Sequence, residues 1–83
     1  MADNRVRAWH VQWDRIPVTG RSRWFLYNDR GLRNAIVAFI NRRIASTGRW
    51  PGVEEMAQVV WQWSDAHVDV NRNWVMNSNR NRF

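Results

Sequence analysis

The chain has 83 residues, a net charge of +6, a sequence isoelectric point near 11.7, no cysteine, and no lysine among its thirteen basic residues. That length allows one domain, and the missing thiols exclude a disulfide framework, a thiolate nucleophile and any zinc site that uses cysteine. All the fixed positive charge is guanidinium, which is planar, forks bidentately onto carboxylate or phosphate and stacks on aromatic rings. A GC-rich genome is a poor account of this, because nine Asn are kept although their codons share the AA start of Lys codons.

A domain this small buries only about 60–65% of its unfolded surface, so its core must be dense in large side chains. The seven Trp are expected to supply most of that core, with a few left over for a binding face. Charge is uneven along the chain: residues 1–23, 24–48, 49–70 and 71–83 carry +3, +3, −3 and +3. The acidic third quarter is expected to take up some of the arginines.

Val6 to Trp13 alternates, with Trp9, Val11 and Trp13 on one face and Ala8, His10 and Gln12 on the other, which predicts a half-buried strand. Ile16-Pro17-Val18-Thr19-Gly20 reads as a loop. The aromatic run Arg23 to Tyr27 predicts a second strand, paired with the first as an antiparallel hairpin. Asn28 or Asp29 then caps a helix whose apolar stripe is Leu32, Ala35, Ile36, Phe39, Ile40 and Ile44, and Gly48 stops it. Arg43 falls inside that stripe and must snorkel or meet a carboxylate.

After Trp50-Pro51-Gly52, a second helix is expected over Val53–Ser64, with Glu54 and Glu55 suiting its N-terminal dipole. His67–Val70 and Trp74–Met76 read as two short strands joined by Asn71-Arg72-Asn73. Residues 77–83 have little to bury and are expected to form a flexible basic tail beyond a compact domain of residues 1–76. The predicted fold is therefore α+β, in the order ββααββ: a small antiparallel sheet of about four strands with two helices packed on one face.

Arginine interleaved with aromatics is the sharpest candidate for function: Arg5, Arg7 and Trp9 in the first predicted strand, and Arg21, Arg23 and Trp24 in the second. Trp50 on its loop and Trp74 beside Arg72 are candidate anchors, and Arg80, Arg82 and Phe83 could order onto a partner. Such residues suit an acidic protein or nucleoprotein target, or directly bound RNA or single-stranded DNA, where rings stack bases and guanidinium groups hold phosphates. Asp65, His67 and Asp69 would share one strand face and are a weak metal or hydrolytic triplet. No phosphate loop or nucleophile elbow occurs, so catalysis, a cofactor and a bound metal are not expected.

Met1-Ala2-Asp3-Asn4-Arg5 lacks the apolar region of a signal peptide, and no apolar run approaches the ~20 residues of a membrane span. With the absence of cysteine, this predicts a cytoplasmic setting and no membrane partner. In size and composition the chain resembles the small accessory proteins that phages make against host machinery, anti-CRISPR proteins among them. The resemblance covers profile and no aligned residues, and it implies an inhibitor of a host complex without assigning any site.

Overall fold

The structure, a computed structural model, describes the backbone of residues 5–82 and the side chains of residues 5–67. Among the described residues it is all-helical, with three helices: α1 (Gly20–Asn28), α2 (Arg30–Thr47) and α3 (Val53–Arg82). The expected α+β sandwich is overturned at each of its four strands.

Val6–Trp13 is not a strand. A strand needs a backbone partner, and among the described residues none is present once the second half of the expected hairpin is helical. Its amides turn inward on the segment, giving single 3-10 turns at Ala8–His10 and Trp13–Arg15. His10 N–H donates to Arg7 O at 2.9 Å, and Arg15 N–H to Gln12 O at 3.0 Å. Asn41 of α2 replaces a neighbouring strand at one point, accepting from Val6 N–H and donating to Val6 O. Burial consequently falls on Val6, Val11, Ile16 and Val18; of the expected inward face only Val11 is buried, while Trp13 is half-buried and Trp9 is 72% exposed.

Arg23–Tyr27 is the middle of α1. Its four consecutive apolar residues carry no period, so either conformation was open to them. As a helix they divide into Phe25 and Leu26, which are buried, and Trp24 and Tyr27, which are exposed. Asp29 ends α1 and starts α2: its N–H donates to Phe25 O at 2.9 Å, and its Oδ1 accepts from Leu32 N–H at 3.2 Å. The predicted cap and the predicted stop of α2 are both found, with Gly48 at φ 73 and its N–H on Ile44 O.

The core stripe of α2 is Leu32, Ile36 and Ile40, all fully buried, packed with Phe25, Leu26, Met56, Ala57 and Val60. Each such large side chain contributes about 1.5–3 kcal/mol over an exposed one. The core is thus aliphatic and Phe-based: of the six described Trp, Trp13 and Trp63 are half-buried and the other four are exposed. Trp63 crosses from α3 to the α1–α2 corner, donating its indole N–H to Asp29 Oδ2 at 3.1 Å. Its ring lies so close to Gly31 that a Cβ there would be 3.0 Å from Trp63 Cζ2. The Ser64 hydroxyl is buried with no hydrogen-bond partner among the described residues.

α3 starts at Val53 as expected but does not stop at Ser64. Residues 67–70 and 74–76, expected as strands, are backbone helix within α3, as are residues 77–82. Helical hydrogen bonds are local and need no partner strand, so the helix that starts at Val53 propagates through these short apolar runs. With 30 residues α3 is about 45 Å long against about 27 Å for α2, and the molecule measures 55 × 22 × 20 Å. Among the described residues no helix is long and apolar enough to cross a membrane.

Candidate protein-binding surface

Helical spacing in α1 brings one set of aromatic and basic groups together. Trp24 and Tyr27 are three residues apart and Arg23 and Tyr27 four, so all three share the outer face of the helix. The Arg23 guanidinium lies 5.8 Å from the centre of the Tyr27 ring. Arg33, from the first turns of α2, lies 5.4 Å from the same ring and 4.6 Å from that of Trp13. Its Nε–H donates to Leu26 O at 2.8 Å, which holds this guanidinium in place. Trp13 is fixed in turn, donating Nε1–H to Ala8 O at 3.1 Å.

The result is a ladder of alternating ring and guanidinium, Trp13–Arg33–Tyr27–Arg23, running from the N-terminal segment across α1. Stacking leaves the in-plane N–H edge of a guanidinium oriented for a carboxylate while its face covers a ring. Trp24 stands beside the ladder, 42% exposed and edge-on to buried Phe25 at 5.3 Å. The base of its ring rests on the core.

The expected basic hairpin is not one face. Arg21 and Arg23 are about 200° apart around α1, and Arg21 reaches Asp65 of α3 at 3.9 Å, an exposed pair that is weak in water. Arg5 and Arg7 are exposed on the N-terminal segment, with Arg7 5.3 Å from the Trp9 ring centre. Of the two outcomes open to Arg43 in the stripe, snorkelling or meeting a carboxylate, the structure shows the second, a pair with Glu55 at 2.5 Å. The side chains of Arg72, Trp74, Arg80 and Arg82, and all of Phe83, lie outside the described residues, as does the side chain of Asp69.

Trp50 is 48% exposed at the α2–α3 corner. It lines two hollows. One, of about 320 Å³, lies between Gln12 and Arg15 of the N-terminal segment and Val53 and Met56 of α3. The other, of about 430 Å³, includes Arg43, Arg49 and Glu55. Sequence reasoning missed Tyr27, Arg33 and Arg15; laying residues 20–28 on a helix is the one step that would have aligned Arg23, Trp24 and Tyr27.

The Asp65–His67–Asp69 triplet loses its shared face, because Asp65 and His67 are about 200° apart on a helix. His67 stacks on Trp63 at 4.3 Å and donates Nδ1–H to Trp63 O at 2.8 Å. Among the described residues no group of three His, Asp or Glu could hold a metal ion. No protein-family model, curated protein or solved structure matches this chain.

Proposed function

We propose that this chain is a non-enzymatic binding protein that occupies, and so blocks, an acidic protein or nucleoprotein surface. One observation carries the reading. A domain short of core material leaves Trp9, Trp24, Tyr27 and Trp50 open to solvent, although burying each would be worth a few kcal/mol. Large exposed rings have a physical rationale as contact groups, and Trp, Tyr and Arg are the residue types that dominate interface energetics. Arg23 and Arg33, stacked against Tyr27, are suited to fork the partner's carboxylates at the rim.

A cytoplasmic setting belongs to the same proposal, as does the part of an inhibitor of host machinery that the chain's profile suggests. Direct binding of single-stranded nucleic acid is the competing reading, favoured by the open Trp9 ring with Arg7 near it. The acidic residues Asp14, Glu54, Glu55 and Asp65 are exposed among the arginines, which interrupts a groove that would track a phosphate backbone.

The test is capture of the partner by the tagged chain, with and without nuclease, using Trp24→Ala against Arg42→Ala. Both positions are exposed helix sites, and a cooperative melt of each variant above the assay temperature establishes that it is folded. Trp24→Ala should weaken capture at least ~10-fold, the scale of one interface anchor, while Arg42→Ala changes it less than ~2-fold. Equal effects of the two substitutions would remove this face from the interface. Capture abolished by nuclease would move the reading to nucleic acid.

A further inference from the structure

The ladder and Trp24 face leaves the smaller hollow at the α2–α3 corner unused. Its apolar surface is in two layers. Val11 and Met56, each 5% exposed, belong to the core, while Trp50 and Val53, 48% and 41% exposed, stand open beside them. A volume of about 320 Å³ is at the lower end for ligand pockets and fits one large side chain with its backbone, not a cofactor. Pro51 is buried behind it, so the Trp50 wall is carried on a stiff corner.

Charge says which partner fits. His10 and Arg15 line this hollow and no carboxylate does. Arg15 is held on the wall by Gln12, donating Nη1–H to Gln12 Oε1 at 3.0 Å, so one of its five donors orients the rest. Exposed Arg49 adjoins Trp50. Glu55, which lines the hollow on the other side of Trp50, is paired with Arg43.

We propose that this hollow seats one aromatic or large aliphatic side chain of the acidic partner, with a carboxylate beside that side chain in the sequence held by Arg15. The inference rests on the binding reading above and assigns a second contact point, on a different part of the molecule from Trp24, with a stated recognition unit: an apolar residue flanked by Asp or Glu. Apolar burial would hold the residue, and the desolvated guanidinium–carboxylate fork would select its acidic neighbours.

The probe is a capped pentapeptide, Asp-Asp-Phe-Asp-Asp, titrated into the full isotope-labelled chain, with Asp-Asp-Gly-Asp-Asp and Asn-Asn-Phe-Asn-Asn as matched controls. The Trp50 indole N–H and the Met56 methyl signals should move on addition of the first peptide. Affinity should fall ~10-fold on removing the ring and ~5-fold on removing the charges. Arg15→Gln should bring the Asp and Asn peptides to the same affinity, and Trp50→Ala should bring the Phe and Gly peptides together. Both residues are exposed, so a melting curve matching the parent establishes that each variant is folded. Binding indifferent to the central residue, or signals moving only at Trp24 and Tyr27, would overturn the proposal. Failure here with Trp24-dependent capture intact rejects the hollow alone. Cleft binding with capture that ignores Trp24 rejects the α1 face alone.

Discussion

Gly31 owes its identity to a ring from another helix. It sits in the first turn of α2, where most residues are tolerated, yet a methyl group there would meet Trp63 Cζ2 at 3.0 Å and Asp29 Oδ1 at 3.1 Å. Neither neighbour moves cheaply, because the Trp63 indole N–H and the Asp29 cap are joined by one hydrogen bond. Gly31→Ala, which by helix propensity alone would stabilise α2 by about 1 kcal/mol, is expected to destabilise the fold by ~1–3 kcal/mol through overpacking. Urea unfolding checks the sign; a gain in stability would mean that the Trp63 ring is not seated on Gly31. Arg33 is the complementary case, a charged residue whose hydrogen bond to Leu26 O and two ring contacts make it part of the architecture that presents Arg23.

At the scale of elements, the decisive event is that α1 is a helix. It converts Arg23, Trp24 and Tyr27 from residues of alternating faces into one outer face, and it strips the N-terminal segment of a strand partner. The conformation can be tested at Arg23, which is exposed. Ala, Thr and Gly at this position all remove the guanidinium from the Tyr27 ring, so differences among them report the backbone. A helix requires stability in the order Ala, Thr, Gly over a span of ~1 kcal/mol. A strand would place Thr above Ala, and that order in thermal melts would refute α1. The neighbouring elements were legible in advance because their signals are local: Asp29 with its free side-chain oxygen, Gly48 where φ is 73, and the Leu32–Ile36–Ile40 spacing between them.

For the whole molecule, the charge of +6 is spread around an elongated body of 55 × 22 × 20 Å, while the rings occur at discrete points. Long-range attraction and short-range anchoring should therefore separate kinetically. Raising salt from ~50 to ~300 mM shortens the Debye length from about 14 to about 6 Å and should slow partner association ~5–10-fold with little change in dissociation. Trp24→Ala should do the reverse, speeding dissociation. Surface-based kinetics at the two salt concentrations tests both, and an association rate independent of salt would remove electrostatic steering from the proposed function.

Sequence by itself determined α2 with its stop and a cap at Asn28 or Asp29, the start of α3, the aliphatic stripe of α2 and the choice of Arg43 between snorkelling and a carboxylate, which Glu55 settles. Each is decided within a few residues by backbone geometry or by a charge on an apolar face. Arg23 and Trp50, which the sequence offers as candidate contact residues, are both exposed. Tertiary structure alone decided whether Val6–Trp13 and Arg23–Tyr27 would be strands, because a strand exists only if another segment supplies its hydrogen bonds. It alone decided which Trp are outside. Trp63 is held because Asp29 accepts its N–H and Gly31 makes room, whereas Trp9, in a segment whose alternation points it inward, finds no cavity and stays in water. Apolar character gives a ring the tendency to be buried; only the packed neighbours provide the place.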